Sequence, residues 1–329
     1  MRRVLLLLAL LFYFPAPMTA QGQDVVIATS DRFGVLPDLS LRDTIRNRTI
    51  PLTVYYPEGQ GHWPFPIIIF SHGAGGSKDG YRYLGSYWAS HGYVVIHPTH
   101  LGSDSSMLKK HRVLYNLRAI KKMMKNKANF VNRPADISFI LDHLSDIEAM
   151  DPNLSGLFDV KRVGVAGHSF GAYTTLAVAG AVVSLPGTKR QLFNDPRPQA
   201  FIALSPQGDG TGVFEGNAWA GIQRPFLVMS GTRDKGLLGQ PANWRLESYD
   251  GMPSGGNKNE IVISGADHMS FAGMGFDGKV KDPLMNQYIQ QATLTFWDAY
   301  LKADPTALQD VENGYFPKIA GVTAAIQSK

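Results

Sequence analysis

Gly167-His168-Ser169-Phe170-Gly171 is the segment whose residue types and spacing could do the most chemistry. A serine between two glycines can occupy a turn too tight for flanking side chains, and its hydroxyl is then pushed outward. A β-rich run over 162–166 precedes the motif, and an apolar stretch expected to be helical over about 170–183 follows it. The start of that helix points free amides and a positive dipole end at any charge developing on an atom attacked by Ser169. A serine hydroxyl is a poor nucleophile at neutral pH, so Ser169 needs a base, and the base needs a group that orients it. His268 is the only histidine C-terminal to Ser169, and it follows a strand over 260–264 across a three-residue loop. His168, inside the turn itself, reads as a packing or hydrogen-bonding residue. Two carboxylates compete for the orienting role. Asp234, just past a strand over 225–230, is favoured over Asp209, which follows the strand before it. Asp267, next to His268 in the chain, reads as a turn former.

Acyl transfer also needs two donors for an oxyanion. The amide of Phe170, the residue after the nucleophile, is one. The loop His72-Gly73-Ala74-Gly75-Gly76-Ser77, which follows the apolar run 66–71, is positioned to supply the other, with Ala74 the expected donor. Glycines let that backbone come close to a substrate carbonyl. Pocket walls are expected near Tyr81, Tyr83, Trp244, Met269 and Phe271. His72, His97 and His100 stand at scattered strand ends and suggest no metal cluster, so neither a metal nor an organic cofactor is expected.

The elements that must hold these groups alternate along the chain. Strands are expected at 24–30, 50–56, 66–71, 93–98, 162–166, 200–204, 225–230 and 260–264, with helices at 81–91, 134–144, 170–183 and 284–302. The region between the first two strands reads as a polar hairpin. Strand–helix alternation of this kind is the pattern of a mostly parallel α/β sheet covered on both faces, which binds ligands at the carboxyl ends of its strands. No repeat or linker divides residues 21–329, so one domain is expected.

Composition narrows the chemistry further. The chain has no cysteine, which excludes a disulfide scaffold, a thiolate metal site and a cysteine nucleophile. A formal charge of +5 with 18% charged residues fits neither a disordered polyelectrolyte nor a nucleic-acid binder. Residues 1–20, with Arg2 and Arg3, an apolar run and a small-residue end at Thr19-Ala20, read as a signal peptide, which implies a secreted or periplasmic protein. One stretch, about 104–133, breaks the rhythm. It has nine basic residues from Lys109 to Arg133 and no acid between Asp104 and Asp136. A solvated face of an inserted helix is the plainer reading, and peripheral contact with a lipid surface is the alternative.

On Phe70-Ser71-His72-Gly73-Ala74-Gly75, Ala89-Ser90-His91-Gly92 and the Ser169 pentapeptide, the chain resembles the α/β-hydrolases. The likeness is to the branch of platelet-activating-factor acetylhydrolase, dienelactone hydrolase-like proteins and secreted polyester hydrolases. It runs from about residue 49 to 297. The resemblance implies Ser169 and His268 as catalytic and Ala74 and Phe170 as the oxyanion amides. Departures are equally informative. Dienelactone hydrolases use a cysteine nucleophile, which is impossible here. The acetylhydrolase carries its triad aspartate where this chain has Ser205, whereas Asp234 matches the acid of the polyester hydrolases, whose C-terminal disulfide this chain cannot form. The expectation is a secreted serine carboxylesterase using Ser169, Asp234 and His268 through an acyl-enzyme. A phospholipid acetylhydrolase or lipase at an interface is the second reading, and a non-catalytic binder on the same fold is the third.

Overall fold

The computed structural model of the chain describes residues 32–59, 64–109, 113–210, 212–255, 257–273, 280 and 282–329. The expected signal segment 1–20 and the strand expected at 24–30 lie outside them. In chain order the elements are β1 (Phe33–Asp43), β2 (Arg48–Pro57), β3 (Phe65–Ser71), α1 (Arg82–Ser90), β4 (Val94–Pro98), α2 (Val113–Met123), α3 (Lys127–Asp142), α4 (Leu144–Glu148) and β5 (Phe158–His168). They continue with α5 (Phe170–Ala179), β6 (Val182–Val183), β7 (Gln191–Leu192), β8 (Ala200–Leu204), β9 (Phe226–Gly231), α6 (Glu247–Asp250), β10 (Lys258–Ile263), α7 (Pro283–Leu301), α8 (Pro305–Glu312) and β11 (Ala324–Ser328).

A nine-stranded sheet runs in the order β1-β2-β4-β3-β5-β8-β9-β10-β11. The strands from β4 to β10 pair in parallel, while β1, β2 and β11 close the two edges antiparallel. This is the mostly parallel α/β sheet that the strand–helix alternation predicts. Side-chain alternation sorts the core into two layers. Ile67, Ile69, Val163, Val165, Ala203 and Val228 pack on one face with α3, α4 and α5. Ile68, Phe70, Ala166, Ile202, Leu227 and Met229 pack on the other with α1, α7 and α8. Every residue of β3 is buried, as its apolar run on both faces requires.

Several elements depart from the sequence expectation, four of them near the sheet or the site. Residues 33–43, read as a polar hairpin, form the edge strand β1; Pro37 is tolerated because the ladder breaks between Leu36 and Leu39 at a sheet edge. Helix α5 stops at Ala179 rather than running to 183. Gly180, at φ 120°, turns the chain out, and the β-branched pair Val182–Val183 joins Gln191–Leu192 instead. Helix α3 begins at Lys127, seven residues before Pro134, so the proline is interior. A proline there leaves the carbonyl four residues back without its helical donor. That carbonyl belongs to Phe130, and the Tyr173 hydroxyl donates to it at 2.9 Å, which ties α3 to α5. Finally, β11 was not anticipated; it pairs with β10 across the outer edge.

Candidate active site

Five of the parallel strands end on the same side of the sheet, and each delivers one part of the site. The turn after β5 carries Ser169 at φ 56° and ψ −115°, a strained backbone for a residue with a side chain. Surrounding bonds hold it there. The Ser169 amide donates to Leu204 O at 3.0 Å, while Ser169 O accepts from Tyr173 N (3.1 Å) and Gln207 Nε2 (2.9 Å). Both glycines of the motif are required by close approach. A Cβ on Gly171 would lie 1.8 Å from Ser71 O, and one on Gly167 would lie 2.4 Å from the Gly171 backbone.

His268 arrives from the turn after β10. Its Nε2 is 2.9 Å from Ser169 Oγ and its Nδ1 is 3.1 Å from Asp234 Oδ1, with Asp234 fully buried at the end of β9. The rival Asp209 is spent on its own loop, accepting from the amides of Gly210 and Gly216. Asp267 caps the short turn His268–Ala272 through the amides of Met269 and Ser270. Asp234 as neighbour fixes the imidazole with its proton on Nδ1, leaving the Nε2 lone pair for the Ser169 hydroxyl. Burial alone would raise the Asp234 carboxyl; the bond from His268 and the Arg245 charge outweigh it and hold the group below the ordinary carboxylate range.

Two further residues at this end have no role assigned from the sequence: Ser205 enters there only as a departure from the acetylhydrolase, and Arg245 not at all. Ser205 follows β8 at φ 53°, and its Oγ is 2.6 Å from His268 Nδ1. Arg245, 4% exposed, donates from Nε to Asp234 Oδ1 at 3.1 Å and from Nη1 to Pro206 O at 2.8 Å. Its Nη2 stands 3.2 Å from His268 Nδ1. With Nδ1 protonated, that last contact sets donor against donor, so Arg245 acts through Asp234.

The loop after β3 lies against Ser169: a Cβ on Gly73 would be 3.4 Å from Ser169 Cβ. Among the described residues the amides of Ala74 and Phe170 have no protein acceptor. Tyr81 and His168 sit behind this arrangement rather than on a pocket wall. Gly73 N–H donates to Tyr81 Oη (3.2 Å), Tyr81 O–H donates to His168 Nδ1 (2.7 Å), and His168 Nε2–H donates to His268 O (3.0 Å). This directed chain joins the 73–77 loop to the His268 turn through the middle of the Ser169 motif. It assigns His168 the hydrogen-bonding role expected of it. Phe271 is fully buried in the core, and Trp244 Nε1 donates to Asp209 O at 2.7 Å.

His72 and His100 are not scattered, as their sequence positions imply, but lie side by side with ring centroids 5.3 Å apart. Their nitrogens are engaged by protein groups. Arg133, read as one of a run of solvated cations, is in fact 1% exposed and points under the 73–77 loop, whereas Arg118, Lys121, Lys122, Lys125 and Lys127 are exposed.

The family model for chlorophyllase matches residues 36–189. Platelet-activating factor acetylhydrolase of Cavia porcellus is 22% identical over 276 residues, covering 73% of this chain. The match spans 58% of that relative's own length. Among solved structures, a ferulic acid esterase from Streptomyces cinnamoneus superposes with a TM-score of 0.62 at 20% identity, covering 90% of this chain and 97% of the esterase. Sheet order, strand-end site and these likenesses agree: the chain has an α/β-hydrolase-type fold, and it is similar to proteins of the branch that includes the platelet-activating-factor acetylhydrolases and related esterases.

Proposed function

We propose that this chain is a serine hydrolase of carboxylic esters, with Ser169 as nucleophile, His268 as general base, Asp234 as its orienting acid, and the amides of Ala74 and Phe170 as oxyanion donors. The observation that carries the reading is the contact of Ser169 Oγ with His268 Nε2 and of Asp234 with His268 Nδ1, beside two amides that have no protein acceptor among the described residues. The likenesses to an acetylhydrolase and an esterase support the same bond class.

The steps follow from those contacts. Ser169 Oγ adds to the ester carbonyl carbon as its proton passes to His268 Nε2, and the negative charge on the former carbonyl oxygen is held by the two amides. Asp234 stabilises the imidazolium without taking the proton. Collapse breaks the bond to the alcohol oxygen, which leaves with the proton from Nε2, and Ser169 is acylated. Water then adds to the acyl carbon while giving a proton to Nε2. The second collapse returns that proton to Ser169 Oγ and releases the carboxylic acid.

A fluorophosphonate probe is expected to label the wild type and not Ser169→Ala, and the wild type is expected to hydrolyse p-nitrophenyl acetate. Equal labelling of both proteins, or an inactive wild type, defeats the reading and favours a non-catalytic binder. Export through residues 1–20 belongs to the same proposal, and N-terminal sequencing of the protein recovered from its native host tests it. A second reading, action on phospholipid esters at an interface, is favoured by the exposed cations of α2 and the start of α3. The segment leading to them borders the site, since Gly75 N–H donates to Ser103 O at 2.8 Å. Activation by anionic vesicles that is lost when Lys121, Lys122 and Lys125 are replaced by glutamine supports it, and indifference to vesicles removes it.

A further inference from the structure

We infer that Arg133 is a positioning residue for the reaction: with His72 it fixes the Gly73–Ala74 peptide in the orientation that turns the Ala74 amide toward Ser169. This inference rests on the ester-hydrolase reading of the site.

Arg133 comes from the first half of α3 and spreads its guanidinium beneath the loop after β3. Nη1 donates to His72 O at 2.7 Å and reaches Ser71 Oγ at 3.3 Å; Nη2 reaches Gly73 O at 3.4 Å; Nε donates to Ser103 Oγ at 2.9 Å. Gly73 O also accepts from His72 Nδ1 at 2.6 Å and from Gly76 N–H at 3.0 Å. His72 therefore carries its proton on Nδ1, and its Nε2 accepts from His100 N–H at 3.0 Å. Its 3.3 Å approach to Arg133 Nη2 is then donor against donor, not a bond.

In a trans peptide the carbonyl and the following N–H point in opposite directions. Gathering three donors on Gly73 O thus sends the Ala74 N–H to the other side of the loop, where Gly73 meets Ser169. The same guanidinium lies 4.3 Å from the centre of the Phe170 ring. One buried cation thereby touches both the carbonyl of the Gly73–Ala74 peptide and the Phe170 ring, and it polarises that peptide toward a better donor.

The cation is itself braced. The Ser71 hydroxyl donates to His100 Nε2 (2.9 Å), and His100 Nδ1 donates to Asp136 Oδ2 (3.0 Å). Asp136, one helical turn beyond Arg133, is closed off by Arg46 (2.7 Å) and Arg48 (3.1 Å). Burial pulls the Arg133 guanidinium down to about 9, which leaves it charged at neutral pH.

The test compares wild type, R133K, R133M and H72Q by kcat and KM on p-nitrophenyl acetate and by inhibition with phenylboronic acid, which adds to Ser169 and places an oxygen in the oxyanion position. For R133M the expected result is a kcat lower by about 10- to 100-fold, less than the roughly 10²–10³ of deleting an oxyanion donor. KM should stay within about twofold, and boronate affinity should fall in step with kcat. R133K, which keeps charge but not the fork, and H72Q should fall between. A folded R133M with kcat within about twofold of wild type, or one whose kcat falls while boronate affinity is unchanged, overturns the inference. If R133M does not fold by circular dichroism, R133K and H72Q decide by the same criteria. A wild type that neither reacts with fluorophosphonate nor cleaves the ester refutes the hydrolase reading instead, so the two failures are distinct.

Discussion

Replacing Asp234 by asparagine perturbs more than one charge, because Arg245 stands directly behind it. In the wild type the guanidinium donates to Asp234 Oδ1 at 3.1 Å while its Nη2 lies 3.2 Å from His268 Nδ1. That approach is tolerable while Asp234 neutralises the cation and holds the Nδ1 proton. In D234N the cation loses its counter-charge, and Nδ1 becomes an acceptor for Nη2 if the imidazole proton moves to Nε2. An Nε2–H tautomer cannot take the proton of Ser169. A fall in kcat of about 10⁴ is expected, the size associated with a triad imidazole left in the wrong tautomer. Adding R245M removes the competing donor and leaves Ser205 Oγ, 2.6 Å from Nδ1, to accept from Nδ1–H. A hydrogen bond involving a charged group contributes about 1.5–3 kcal/mol, so the double variant should recover roughly 10- to 150-fold of the lost kcat. R245M alone leaves Asp234 its bonds with His268 and Ser230 and should cost less than about 10-fold. The assay is kcat on p-nitrophenyl acetate for the four proteins of the cycle, each shown to be folded by near-ultraviolet circular dichroism. A double variant as slow as D234N, or slower, refutes the tautomer argument.

Gly171→Ala would put a Cβ 1.8 Å from Ser71 O, a backbone atom at the end of β3, and should lower stability by about 2 kcal/mol or more along with activity; an unchanged urea midpoint counts against the packing described. Tyr81→Phe breaks the hydrogen-bond chain between Gly73 N–H and His168 and should lower kcat by roughly 3- to 10-fold with little change in KM, as steady-state kinetics will show. Stability should fall between pH 7.5 and 5. Burial lowers His97 and His100 to about 4 and holds His72 and His168 well below 6.5, so below 6.5 the unfolded chain takes up protons that the folded chain refuses. Buried Glu260, raised to about 7, opposes this by taking its proton first in the folded state, but it is one group against four. A urea midpoint equal or higher at pH 5 would contradict the neutral, buried assignment of these histidines.

The parts of this molecule that were legible in the sequence are those set by local chemistry. The Ser169 turn announces itself because glycine must stand at 167 and 171, and the strand ends follow from runs too apolar to face water. Chain order then brought His268 and Asp234 to one place, and the structure brings both within hydrogen-bond distance of their partners. What stayed hidden depends on the third dimension. Arg133 is one cation in a run of nine, and only its position on the inner face of α3 separates it from its exposed neighbours. Pro134 reads as a helix start because proline is favoured in a first turn, and the residue that repairs its broken bond, Tyr173, lies on a different helix. Ser205 stands out in the sequence only as the serine where the acetylhydrolase has its aspartate, and Arg245, in the short helical turn 242–246, carries no signal until the fold sets both beside the imidazole.

The pairing of β11 with β10 bears on how the protein behaves as a solute. Lys258 and Lys329 exchange both backbone hydrogen bonds, and the register continues through Ile263 opposite Ala324. Without residues 323–329, the backbone donors and acceptors along the outer side of β10, where Ile261 and Ile263 are both buried, would lie open to solvent. An unpaired, apolar parallel-sheet edge is a template for strand addition from another molecule. A chain shortened by those seven residues should keep its site geometry yet self-associate with rising concentration, a change visible by light scattering before any loss of far-ultraviolet signal. The short C-terminal strand is thus a guard against aggregation, on the margin of the sheet remote in sequence from the Ser169 turn.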